Sequence, residues 1–290
     1  MVFGITGNTT KEPIWGPVSD LVRYLKASGR AYRVHERLVS GLVERSVLDG
    51  AEAERAASSS LARDCDLVLS FGGDGTLLNT AHEVGDLQTP ILGVNLGRLG
   101  FLASLEASQL EEAIQQLDAG NYLVEERMVL EATARGFDLE HRWALNEFVI
   151  QRPGDAGLLA VDVAVNGTDL NTYWADGLII ATPTGSTAYN LAVGGPIVVP
   201  TSQTIVMTPI AAHTLTVRPV VLPGTVTIDA SVPEGGPFVF TSDGRGTVIE
   251  DSTVHIEIRR AAHTVRLVQM PDRHFFQTLR SKLMWGARRT

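Results

Sequence analysis

"LVLSFGGDGTLLNTAHEVG", residues 67–85, is the stretch on which the reading of the fold turns. Leu67 to Phe71 is a short apolar run, the composition of a strand covered on both faces. It stops at Gly72-Gly73, admits one carboxylate at Asp74, passes Gly75 and Thr76, and runs on with helical spacing. Strand, glycine turn and helix in this order open a βαβ unit. The acid is the puzzle, because a loop that cradles phosphate with bare N–H groups ordinarily keeps negative side chains away.

The surroundings agree with that unit. "VFGIT" (2–6) and "YRVHE" (32–36) read as strands, with an amphipathic helix over 17–29 between them. The alanine-rich residues 51–64 read as one helix, and "TPILGVNLG" (89–97) as another buried strand. A helix then covers 107–120, with Ser108 as its N-cap. Such alternation predicts a parallel sheet flanked by helices over residues 1–124. From about residue 125 the texture becomes short β-branched runs split by Gly, Pro and Asn, including "LNEFVI", "LAVDVAVNG", "GLIIATP", "TLTVRPVVL", "FVFTSDG", "VHIEIRRA" and "TVRLVQM". These predict an all-β domain of sandwich type over 125–270, with one helical segment in "STAYNLAVGGP". An amphipathic helix over 274–289 is expected to return from 271–290 to the N-terminal domain.

Bulk properties narrow the function. With 290 residues the chain exceeds what one core usually holds, and 44% hydrophobic with 20% charged residues fits a globular protein. A net charge of −9 argues against nucleic acid and against anionic membrane. The one cysteine, Cys65, reads as a structural thiol at the start of a strand. "MVFGITGN" has no basic region or long apolar run, so the expectation is a cytoplasmic protein.

No P-loop, no G-x-G-x-x-G and no His-Glu-x-x-His is present, and no cysteines or histidines pair at metal spacing, so no metal ligands are expected. Gly72, Gly73, Gly75 and Thr76 still suit a phosphate, because bare N–H groups at a helix N-terminus attract anions. Asp74 would then accept the proton of an attacking hydroxyl or help hold a phosphate-bound metal; the blander alternative is a helix cap. Asn146 and Glu147 offer an amide and a carboxylate to a ribose diol or an adenine edge, or are one buried amide and one solvated acid. "ADGLIIATPTGSTAYNLAVGGP" (175–196) brings hydroxyls and bare N–H groups to a strand end at Thr184, Thr187 and Tyr189, with Asp176 just before the strand.

Together "GGDGT", "PILGVNLGRLGFL" (90–102), "NE", "DGLIIATPTGSTAYNLAVGGP", "TPIAAHTLTVRPVVLP" (208–223), "TSDGR" (241–245) and "LRSKLMWG" (279–286) resemble the NAD kinases in order and approximate spacing. Diacylglycerol and sphingosine kinases and phosphofructokinases carry related glycine-acid turns, but the 176–196 segment is specific to the NAD kinases. The resemblance implies ATP-dependent phosphorylation of the adenosine 2′-hydroxyl of NAD, with a divalent cation, usually Mg2+. It implies Asp74 as proton acceptor, Gly75 at the ligand, and Phe101 with Leu102 as pocket wall. Asn146 and Glu147 would contact ribose and adenine, and Asp176 the nicotinamide end. Thr187, Ala188, Tyr189, Asn190, Leu191 and Ala192 would wrap the dinucleotide, with Ala211 a further wall position. Arg245 stands where the family commonly has glutamine, and Trp174 where some members have Arg or His. Members assemble as homodimers or homotetramers. A lipid kinase and a non-catalytic dinucleotide-binding module are the alternatives.

Overall fold

In the computed structural model, residues 1–97, 100–103, 105–154, 158–233, 236–251, 253–271 and 274–285 are described. Two compact units emerge, Met1–Glu126 with Val265–Thr290, and Arg127–Thr264.

The first unit alternates as the sequence predicts: β1 (Val2–Gly7), α1 (Trp15–Ala27), β2 (Ala31–His35), α2 (Glu36–Glu44), α3 (Gly50–Ala56), β3 (Ala57–Ser58), α4 (Leu61–Asp64), β4 (Leu67–Gly72), α5 (Asp74–Val84), β5 (Ile91–Asn95), β6 (Leu105–Glu106) and α6 (Leu110–Asp118). Its strands lie in the order β3-β2-β1-β4-β5, every pair parallel. All six residues of β4 are buried, which explains the apolar run, broken only by Ser70, before the glycine turn. Helix α1 buries Val18, Leu21, Val22 and Leu25 at helical spacing, in one core with Phe3, Ile5, Leu69 and Phe71.

Two expectations for this unit change. Residues 51–64 are not one helix, because α3 ends at Ala56 and the chain adds the edge strand β3 before α4. The serines supply the reason: Ser58 Oγ donates to the Asp64 carboxylate (2.7 Å) and accepts from Ser60 N (3.1 Å), bonds that compete with helix. Ser108 does not cap the next helix either, since Ala107–Gln109 forms a 3-10 turn and α6 starts at Leu110.

The second unit holds two antiparallel sheets. Its elements are β7 (Leu123–Ala134, whose first residues belong to the first unit), β8 (Trp143–Ala144), β9 (Glu147–Gln151), β10 (Leu159–Val165), β11 (Thr168–Ala175), β12 (Gly177–Ala181), α7 (Tyr189–Ala192), β13 (Thr204–Ile210), β14 (Val220–Pro223), β15 (Ile228–Ser231), β16 (Phe238–Ser242), β17 (Arg245–Ile249) and β18 (His255–Gln269). One sheet runs β11-β10-β15-β18 and the other β14-β13-β12-β9-β16-β17. Val161, Val163, Ile228, Ile256 and Ile258 of the first sheet share a core with Phe148, Ile150, Leu178, Ile180 and Phe240 of the second. The opposite face of the second sheet buries Val149, Ile179, Ala181 and Val206 beneath Val193 and Val198. Glu147 shares that face with Val149, two residues on.

Strands β11 and β17 were not legible as strands, and "VHIEIRRA" with "TVRLVQM" is one strand, β18, rather than two. In "TLTVRPVVL" only Val220 onward is extended into β14. The last five residues of β18 and helix α8 (Phe275–Leu283) belong to the first unit, where Leu267 pairs in parallel with Ile91. Helix α8 buries Leu279, and its Phe275 ring lies 6.4 Å from that of Phe101. The helix expected over 274–289 thus ends at Leu283, and residues 286–289 lie outside the described residues.

Candidate active site

In the first unit the site is built around Asp74. Strand β4 delivers the chain to Gly72, Gly73 takes the N-cap position with extended backbone and no side-chain bond, and Asp74 is the first residue of α5. Its carboxylate does not cap the helix. It crosses to the loop after β5, where Oδ2 accepts from Phe101 N (2.8 Å) and Oδ1 from Leu102 N (2.9 Å) and Ala103 N (3.0 Å). A carboxylate has about four acceptor positions. Among the described residues three are filled, and the one that remains is on Oδ2. The loop approaches so closely that a Cβ on Gly100 would lie 1.9 Å from Asp74 Oδ1. Gly73, Asp74 and Thr76 are half-buried and Gly75 is exposed, so the turn is reachable from solvent. The Phe101 ring, half-buried, is flanked by Phe275 and by Lys282, whose Nζ lies 5.4 Å from the ring centroid.

In the second unit two segments distant in sequence are laced together. At the end of β12, Thr182 Oγ1 donates to Leu145 O (2.5 Å), Thr182 N donates to Asn146 O (2.8 Å), and Gly185 N donates to Thr182 Oγ1 (3.0 Å). A Cβ on Gly185 would sit 2.1 Å from Asn146 O, so only glycine permits this approach. The turn that carries Thr184, Thr187, Ala188 and Tyr189 is therefore held on the backbone of Leu145 and Asn146. Glu147 is 7% exposed, and its Oε2 has no hydrogen-bond partner among the described residues. Burial pushes its carboxyl up to about 8, the negative charge of Asp243 adds to the rise, and a hydrogen bond from the Tyr189 backbone N–H opposes it. Thr184, also buried, leaves Oγ1 without a partner among the described residues. Buried polar atoms of this kind are ordinarily hydrogen-bonded, and a ribose or phosphate would satisfy both.

The remaining predicted positions spread around this cluster. Asn190 is fully buried and its side chain is turned inward: Nδ2 donates to Ser186 O and Pro196 O (both 3.1 Å) and Oδ1 accepts from Thr208 Oγ1 (2.6 Å). Leu191 is half-buried, and Ala192 and Tyr189 are exposed. Asp176 lies between β11 and β12 and pairs with Arg152, Nε to Oδ1 3.2 Å. Ala211, exposed, follows β13 with a left-handed φ of 47°. Arg245 opens β17 opposite Ser242. Residues 98–99 of "NLGRLG" lie outside the described residues.

Sequence reasoning assigned no role to Arg152 or Asp243. Asp243 sits in the β16–β17 turn with φ 49°, and its carboxylate accepts from Leu145 N (2.8 Å), Asn146 N (2.8 Å) and Glu147 N (3.2 Å). The signal available was "SDG", an Asx-Gly pair suited to left-handed turns.

Comparison with known proteins bears on both halves. The profile of the ATP-NAD kinase N-terminal domain matches residues 13–122, and that of the ATP-NAD kinase C-terminal domain matches residues 145–270. The NAD kinase of Bacteroides fragilis is 45% identical over 294 aligned positions, covering 99% of each chain. The fold is that of the yeast NADH kinase crystallised with NADH, with TM-score 0.88 and 23% identity over 100% of this chain and 90% of that one. An NAD kinase from Archaeoglobus fulgidus crystallised with ATP superposes with TM-score 0.75 at 21% identity, covering 98% of this chain and 99% of that one. On these grounds, with both domains matched in order along the chain, this protein belongs to the NAD kinase family of phosphotransferases.

Proposed function

We propose that this chain transfers the γ-phosphoryl group of ATP to the adenosine 2′-hydroxyl of NAD, forming NADP and ADP. The observation that carries the reading is the Asp74 carboxylate, oriented by three backbone N–H groups with one acceptor position left on Oδ2. Asp74 Oδ2 takes the proton of the 2′-hydroxyl as that oxygen bonds to the γ-phosphorus. The bond from the γ-phosphorus to the bridging oxygen breaks and ADP leaves. Gly72, Gly73, Gly75 and Thr76 offer the helix end to phosphate. Asn146, Glu147, Asp176, Thr184, Ala211, Arg245 and the 187–192 segment hold the dinucleotide, and the family resemblance gives Phe101 the role of a pocket wall. Residues 1–124 act as the domain of the glycine turn, residues 125–270 as that of the dinucleotide, and the C-terminal segment 271–290 as an appendage of the first.

Among the described residues no group of three or more His, Cys, Asp or Glu is placed to hold a metal ion. The family resemblance implies a divalent cation, Mg2+, to which the ATP phosphates would offer oxygen ligands. Its charge would offset the negative charge that gathers on the transferred group. Assembly as a homodimer or homotetramer rests on the family resemblance. No helix among the described residues is long and apolar enough to cross a membrane.

Incubation with NAD, ATP and Mg2+, coupled to an NADP-specific dehydrogenase, tests the proposal. NADP formation is expected. A null result with ATP and with polyphosphate as donors refutes it and leaves a lipid kinase or a non-catalytic dinucleotide-binding module.

A further inference from the structure

We infer that Asp243 is a positioning residue for the Asn146-Glu147 pair, fixing its backbone with one carboxylate and acting on the Glu147 side chain through its charge. The inference rests on the reading of that pair as a dinucleotide contact. Three consecutive N–H groups, from Leu145, Asn146 and Glu147, converge on the two oxygens of Asp243 at 2.8–3.2 Å. The turn returns the bond, since Asp243 N donates to Glu147 O (3.0 Å) and Ser242 Oγ donates to Trp143 O. The start of β9 is thus stitched to the β16–β17 turn on both sides of the pair. No uncharged side chain reproduces this. An amide has one acceptor oxygen, and its NH2 would meet an N–H head-on.

The second half follows from where Glu147 sits. Its carboxyl is buried on the face of β9 covered by the segment around α7, which gives it one N–H donor, from Tyr189. From the β16–β17 turn it faces the carboxylate of Asp243, and Arg245 opens β17 two residues beyond. Burial first, and Asp243 second, hold the Glu147 proton until about pH 8. A neutral carboxyl donates a hydrogen bond, whereas a carboxylate accepts from both hydroxyls of a ribose. Dinucleotide binding therefore tightens as pH rises through the Glu147 midpoint, and Asp243 sets where that happens.

The test follows the Glu147 carboxyl carbon by NMR in the free protein and measures NAD affinity by isothermal titration from about pH 6 to about pH 9. The wild-type Glu147 midpoint is expected near 8. In Asp243→Asn and in Asp243→Ser, the latter a small neutral substitute, the midpoint is expected to fall by at least about half a pH unit. NAD affinity is expected to drop about tenfold on the high-pH plateau, where Glu147 is ionised in every variant. An unchanged midpoint, or unchanged plateau affinity, in either folded variant overturns the inference. Failure of the underlying dinucleotide reading has a different signature: Glu147→Gln leaves NAD affinity unaltered at every pH while the Asp243 variants still move the free-protein midpoint.

Discussion

Replacing Glu147 by Gln removes a titration that the fold has displaced. In the folded chain the carboxyl is 7% exposed, and burial followed by the charge of Asp243 carries its midpoint from 4.5 to about 8. The folded state therefore holds this proton more tightly than the unfolded chain. Its contribution to stability is complete below the unfolded midpoint, falls as pH rises toward 8, and is level above that. Each tenfold change in proton activity across this interval is worth about 1.4 kcal/mol, so ionising the buried group costs roughly 5 kcal/mol in all. Gln has nearly the same shape, can still accept the Tyr189 N–H, and has no proton to lose. Urea unfolding of both proteins, without nucleotide, measures the difference. Near pH 5 the two should be of similar stability, and by about pH 9 the variant should exceed the wild type by most of that amount. A difference that stays constant across this range refutes the reasoning, because it would mean that Glu147 titrates alike in both states.

Asp74→Asn should keep the fold and lower turnover by about 10²–10⁴, the usual worth of a general base. One N–H, that of Phe101, would then face the amide nitrogen; a loss below tenfold in steady-state kinetics argues that Asp74 is not the proton acceptor. Gly100→Ala places a Cβ 1.9 Å from Asp74 Oδ1, so the carboxylate or the loop must move. Misplacement on the scale of 1 Å is worth about 10²-fold in kcat, to be read beside an unchanged circular dichroism spectrum. Thr208→Val removes the donor to buried Asn190 Oδ1 and should cost about 1–3 kcal/mol in denaturant unfolding.

The sequence was most legible where burial was complete. Strand β4, covered on both faces, reads as an apolar run with the single polar residue Ser70, and the glycine turn after it marks the helix start. Strand β11 carried no such signal, because residues 168–172 are exposed at the edge of their sheet and show no apolar alternation. The serine run at 58–60 hid a strand inside an alanine-rich stretch through side-chain bonds that propensity does not register. Within the site, Asp74 and Glu147 were visible as acids in unusual surroundings. What anchors them was not: the loop that holds Asp74 lies 27 to 29 residues on, and the backbone that Asp243 holds lies 96 to 98 residues back. Local periodicity carries no trace of such pairings.

The split of β18 has a consequence for the order in which the protein is completed. The second unit, Arg127–Thr264, is contiguous, so every residue it needs has been synthesised once Thr264 emerges. The first unit begins at Met1 but waits for residues from Val265 onward, including the strand residue that pairs with Ile91 and the helix whose Phe275 lies beside Phe101. Domains usually finish in the order they leave the ribosome. Here the part that starts first is finished last, and a nascent chain halted near residue 126 exposes the flank of β5 that this strand would cover.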